Sequence, residues 1–194
     1  MIARMYITML PTIIGGPLNM LFVKTPLYKK FKSPIDRGLV LSDGRRLFGE
    51  NKTVIGMFSM AFFCMTVQCI YGLIFSIADI SSMNDLYNIH ANTVLFNCFA
   101  GFLFGLSYMI FELPNSFLKR RCGVDSGSAT AQNGIRRYIF FLTDQFDSII
   151  GVILVLKILS GISWKEYFIY VLLGGITHLL VNIILKITKV RKTL

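Results

Sequence analysis

Apolar residues run along this chain in five blocks, separated by stretches in which charged and turn-forming residues collect. A hydrocarbon core about 30 Å thick takes roughly 20 residues of α-helix. On that measure the pattern predicts spans near 5–23, 54–78, 92–111, 138–158 and 167–185. The second and third contain no charged residue. The first carries Pro11, Gly15, Gly16 and Pro17, which predicts a kinked or broken helix whose freed backbone groups are satisfied inside the protein. It lacks the short apolar core and small-residue cleavage site of a secretory signal, so it reads as a retained span. The expected architecture is an all-α integral membrane protein of about five transmembrane helices, forming one domain over 1–194, with long loops at 24–53 and 112–137.

Composition agrees with the pattern. The chain is 54% hydrophobic with a mean hydropathy of +0.63 and only 15% charged residues, where soluble proteins carry about 25%. Its basic residues are uneven. The segment 24–52 holds eight, 118–137 holds five and the tail from Lys186 holds four, together 17 of the 20. Five spans put those segments on one side and leave Arg4, Lys157 and Lys165 opposite. The positive-inside rule then predicts an outside N-terminus, cytoplasmic long loops and a cytoplasmic C-terminus in the cell membrane. Orientation and anionic lipid account for the net charge of +10, which leaves nucleic-acid binding a poor explanation.

Against this apolar background the stretch "TDQFDSII", Thr143 to Ile150, stands out. A carboxylate at the centre of a lipid-facing helix costs about 2.5–3.5 kcal/mol even on lenient scales, so Asp144 and Asp147 need compensation. Three residues apart, they share a helix face and can reach one site. A cation between them would let both stay ionised. Mg²⁺ suits such a place, because it is commonly held by one or two carboxylates plus phosphate oxygens and water. The plainer reading is an interhelical salt bridge.

Two loops add chemistry. In "KSPIDRGLVLSDGRRLFGENKTVIG", Lys32 to Gly56, the acids Asp36 and Asp43 stand among Arg37, Arg45, Arg46 and Lys52, with Gly38, Gly44 and Gly49 at turns. Such a mixture suits a nucleoside triphosphate and its metal, the bases holding phosphate oxygens. It equally suits a basic anchor built on glycine turns. In "FELPNSFLKRRCGVDSGS", Phe111 to Ser128, Glu112 ends the third span, Pro114 breaks it, and Asn115, Ser116, Lys119 and Arg120 follow at lipid-phosphate depth. Snorkelling anchors are the alternative there.

The ordered blocks "PID", "DGRRLFG", "NKT", "ELPNSFLKRR" and "DQFD", from about Pro34 to Gly151, resemble the CDP-archaeol synthase family, CTP-dependent cytidylyltransferases related to phosphatidate cytidylyltransferase. The chain departs from the family's common pattern after "KT", where Val54, Ile55 and Gly56 stand, and at Gly15 and Gly16. The resemblance implies a nucleotidyltransferase of phospholipid biosynthesis that moves CMP from CTP to a membrane lipid phosphate, either an archaeal-type ether phosphate or phosphatidic acid, with Mg²⁺. It further implies Asp144 and Asp147 as metal ligands with Asp43 a third candidate. Asp36, Arg45, Arg46, Asn51 and Lys52 would serve the triphosphate, and Glu112, Asn115, Ser116, Lys119 and Arg120 the lipid phosphate.

Other readings are weaker. A transporter or ion pathway would spread polar residues through the membrane depth, whereas here they are expected to gather on one side. The CDP-alcohol phosphotransferases need an Ala-Arg after Asp-Gly, which "DGRRLFG" lacks. Cys64, Cys69, Cys98 and Cys122 show no C-x-x-C spacing, against zinc or redox chemistry. His178 and Asn182, four apart in the fifth span, fit interhelical hydrogen bonding.

Overall fold

The computed structural model describes residues 1–124, 126 and 134–189. Five helices among them are long and apolar enough to cross a membrane: α1 (Ile2–Phe22), α3 (Val54–Ile77), α4 (Val94–Arg121), α5 (Ile135–Ser160) and α6 (Trp164–Ile187). A short helix, α2 (Pro26–Phe31), follows α1. Part of the second long loop, together with Arg191 and Lys192 of the basic tail, falls outside the described residues.

Helix starts are chemically marked. Thr53, Thr93 and Ser163 each sit in extended backbone and accept from the amide three residues on, and Glu166 closes a capping box at α6. These contacts satisfy backbone donors that no helix bond can reach. At its other end α5 stops on Gly161, whose φ of +68° is the left-handed cap glycine adopts freely.

Neither a break in the first span nor the expected break at Pro114 occurs, for one reason. Pro11 and Pro17 lie inside α1, which runs unbroken from Ile2 to Phe22. Pro114 likewise sits inside α4, which continues past Glu112 to Arg121. A proline deletes one backbone bond, but unwinding the segment would strand several polar groups in apolar surroundings. Continuing the helix is the cheaper outcome.

Packing follows small residues. A Cβ built on Gly105 would stand 2.5 Å from the Ala61 Cα, and one on Gly101 would stand 2.6 Å from the Met65 Cα. Only glycine lets α3 and α4 approach so closely. Met5 and Met9 of α1, Phe104 of α4, Ile153 and Leu156 of α5 and Tyr170 of α6 form the buried centre. On the outside of α6, Phe168, Leu172, Ile176 and Leu180 recur every four residues and are exposed, as a lipid-facing stripe requires.

Polar groups occur at both ends of the bundle, contrary to the one-sided expectation. Away from the long loops, Gln68 Nε2 donates to Asn97 Oδ1 at 3.0 Å and Tyr87 Oη donates to the same oxygen at 2.7 Å. Nearby, Asp85 forms an ion pair with Arg4 at 2.5 Å and accepts a hydrogen bond from Tyr170. Because the residues are scattered over α1, α3, α4, α6 and the 84–88 turn, no local stretch of sequence marks this network.

Candidate active site at the basic end of the bundle

On α4, Glu112, Asn115, Ser116 and Lys119 recur at the spacing of one helical face; on α5, Asp144, Asp147 and Ser148 do the same. The two faces meet. Asn115 Nδ2 donates to Asp144 Oδ1 at 2.6 Å and to Asp147 Oδ2 at 2.8 Å, so a single nitrogen spans both carboxylates. Lys119 Nζ lies 2.5 Å from each oxygen of Asp144. Ser148 Oγ donates to Glu112 Oε1 at 3.1 Å, and Lys52 from the first loop pairs with the other oxygen of Glu112. The salt-bridge reading of Asp144 is therefore realised in this arrangement. Ser148 is a member the sequence reading omitted, although it shares Asp144's face at four residues' distance.

All of these groups except Ser148 line a cavity of about 1180 Å³. Its polar wall carries Asn51, Lys52, Glu112, Asn115, Ser116, Lys119, Arg120, Asp144 and Asp147 of the expected set. To this cavity α1 and α6 contribute the apolar Met9, Ile13, Met20, Val181 and Leu185 together with the polar Thr12, Asn19 and Thr177. His178 and Asn182 also reach it. His178 Nδ1 donates to the Gln145 carbonyl at 3.2 Å while Nε2 meets Tyr108 Oη at 3.0 Å, and Asn182 Nδ2 donates to Gln145 Oε1 at 3.1 Å. Both thus make the interhelical hydrogen bonds expected of them.

Asp36, Asp43, Arg45 and Arg46 are not among the residues lining this cavity. Asp36 organises the first loop instead. Its Oδ1 accepts from Gly38 N at 3.0 Å and Arg46 Nη2 at 2.6 Å, and its Oδ2 accepts from Phe48 N at 3.0 Å. Burial pushes that carboxyl up, but Arg46 and the two amides outweigh it and hold it below the usual carboxylate range. Asp43 receives Arg121 Nη1 at 2.5 Å, while Arg45 donates to the last carbonyls of α4. Gly49 N donates to Ser116 Oγ at 3.2 Å. The "DGRR" block therefore ties the loop to the end of α4, and that tie delivers Asn51 and Lys52 to the cavity. Lys29 and Lys32 of the α2 region, Arg137 and Lys186 add further positive charge to the cavity lining. In the sequence such residues signal only orientation.

The donor set fits a hard divalent cation. Asp144 and Asp147 converge on the Asn115 amide, and among the described residues the buried Asn115 Oδ1 has no hydrogen-bond partner. Among the described residues no three His, Cys, Asp or Glu side chains form a self-sufficient cage. Mg²⁺ in phosphate-transfer sites takes one or two carboxylates and completes its shell from substrate and water.

A family model described as CarS-like, CDP-archaeol synthase, matches residues 9–192. The chain is 28% identical to the CDP-archaeol synthase of Aeropyrum pernix over 158 residues, 81% of this chain and 71% of that one. It is 28% identical to that of Methanospirillum hungatei over 157 residues, 78% of this chain and 82% of the relative. A solved structure of an intramembrane enzyme for archaeal membrane lipids biosynthesis shares the fold, with a TM-score of 0.59, 24% identity and 92% of each chain covered.

Proposed function

Since the chain belongs to the CDP-archaeol synthase family, we propose that its cavity joins CTP to an archaeal-type ether-lipid phosphate, with the nucleotide entering from the cytoplasm. Membership makes it a CTP-dependent cytidylyltransferase acting on a lipid phosphate, a membrane enzyme of phospholipid biosynthesis. The transporter reading finds no support in these relatives.

One observation carries the assignment: Lys119, Asn115, Asp144 and Asp147, gathered from α4 and α5, line a cavity that apolar residues of α1 and α6 line as well. A lipid phosphate needs both kinds of lining at once. An oxygen of that phosphate attacks the α-phosphorus of CTP, the new P–O bond forms, and the bond to pyrophosphate breaks. No general base is required, because a phosphate monoester is largely ionised at neutral pH.

The chain's task is to hold anions together. Lys119 and Arg120 bind the acceptor phosphate, and Lys52 with Asn51 binds the triphosphate. Asp36 and Arg46 fix the loop that presents Lys52, while Asp43 and Arg45 fix that loop to α4. Glu112 and Ser148 position Lys52 and Asp147. Asp144, Asp147 and Asn115 Oδ1 would hold Mg²⁺, which when bound neutralises charge on the reacting phosphates.

The test is incubation of purified protein with labelled CTP, Mg²⁺ and, separately, an unsaturated ether-lipid phosphate or phosphatidic acid. Labelled CDP-lipid from the ether acceptor is expected. Label in neither product would overturn the reaction, and label only with phosphatidic acid would overturn the acceptor.

A further inference from the structure

Cys69 on α3 and Cys98 on α4 place their sulfur atoms 3.2 Å apart, in the half of the bundle away from the cavity. We propose that this pair is a dithiol–disulfide modification site, oxidised to a covalent staple between α3 and α4. The sequence hides it, because the two cysteines are far apart along the chain and match no redox motif.

The register of the helices brings them together. Gly105 backs onto Ala61 and Gly101 onto Met65, and Asn97 bonds Gln68 at 3.0 Å. Along α4 in steps of four, Gly105, Gly101 and Asn97 are met on α3 by Ala61, Met65 and Gln68, and Cys98 and Cys69 are the chain neighbours of the last pair. The close approach of the two backbones at the glycines thus brings the cysteines within reach of each other. A disulfide needs sulfurs about 2.05 Å apart, so closure asks for a shift of about 1 Å, within reach of small χ1 rotations.

Access and selectivity also point to this pair. Cys69 and Cys98 are both partly exposed on the lipid side, whereas Cys64 is buried and Cys122 lies at the opposite end of α4. At 1.5 Å per residue, Cys98 sits roughly 6 Å from the start of its helix, near the bilayer surface. Oxidation forms one S–S bond and releases two electrons and two protons, which a bilayer-soluble two-electron oxidant of the quinone class takes up as its hydroquinone. The staple closes a loop that already contains the 78–93 connection, and it restrains the unfolded chain more than the folded one. From α3 only Gly56 and Met60 line the cavity, so cytidylyl transfer should be unaffected.

The experiment uses the full chain in membranes with Cys122→Ser, which prevents cross-linking between molecules through that exposed thiol. After treatment with diamide, which accepts the same two electrons and two protons, the protein is denatured and its free thiols are counted by maleimide labelling. The expected count falls from three to one. A peptide pair containing Cys69 and Cys98 should appear two hydrogen masses lighter than the separate peptides, and a thiol reductant should reverse both changes. The thermal midpoint of the oxidised form should rise by about 5 °C. With Cys69→Ser added, two thiols should label before and after diamide. Three labelled thiols after diamide, or a link that involves Cys64 or a second chain, would overturn the proposal.

Discussion

Lys119 on α4 and Asp144 on α5 form a bidentate ion pair, with Nζ 2.5 Å from both carboxylate oxygens. The lysine thus occupies one side of the carboxylate that a metal would use, and substrate must redirect it. In the proposed reaction Lys119 moves onto phosphate, which frees the Asp144 carboxylate that would hold a cation. Lys119→Gln should therefore lower kcat/KM for the lipid phosphate about 100-fold, in the range set by losing one charged transition-state contact. Unchanged steady-state kinetics in the purified variant would remove Lys119 from the reaction.

Asp144→Asn and Asp147→Asn should each leave the protein folded and membrane-inserted while abolishing Mg²⁺-dependent transfer. The carboxamide keeps the shape and loses the charge that a hard cation demands. Titrating Mg²⁺ against activity separates weak binding, seen as a shifted midpoint, from loss of turnover.

Gly105→Leu should destabilise the fold with no direct effect on the site. Its side chain would enter the α3 backbone around Ala61, and overpacking of this kind costs about 1–3 kcal/mol or more. The readout is a lower thermal midpoint in detergent. A midpoint equal to that of the parent would mean that α3 and α4 are not held at this distance.

Asp36 gives a pH prediction. Its carboxyl is held below its ordinary value, so the ionised form is favoured in the folded loop. The stabilisation is fully present above the unfolded value of about 3.9 and is lost as pH falls through the lower folded value. Loop order, read as protection of the 36–48 segment from protease, should be flat from pH 5 to 8 and decline only below about 4. Asp36→Asn should weaken that protection at every pH in the range and raise the KM for CTP, because Lys52 would be presented less firmly.

Much of this was legible in the chain because hydrophobic length and charge asymmetry are local signals. Four of the five spans fall within three residues of their expected ends, and the third starts two residues late and runs ten residues further, to Arg121. Asp144 and Asp147 were visible because two acids in an apolar run have few structural uses. The path of α4 through Pro114 was not visible, since a proline's effect depends on what unwinding would cost in its surroundings. Nor could sequence separate Asp36 and Arg46, which bond each other within the loop, from Asn51 and Lys52, which reach the cavity. All four are polar residues of one segment, and only the fold decides which way each faces. The Gln68–Asn97–Tyr87 cluster escaped notice for the same reason.

The cavity's joint lining of charged and apolar residues has a kinetic corollary. An acceptor docked across it keeps its tails in hydrocarbon throughout the reaction, so the enzyme samples lipid in two dimensions. Its rate should follow the mole fraction of lipid phosphate in the surface and stay constant when protein-containing vesicles are diluted with buffer. Adding inert detergent at fixed total lipid should slow it in proportion, as surface dilution.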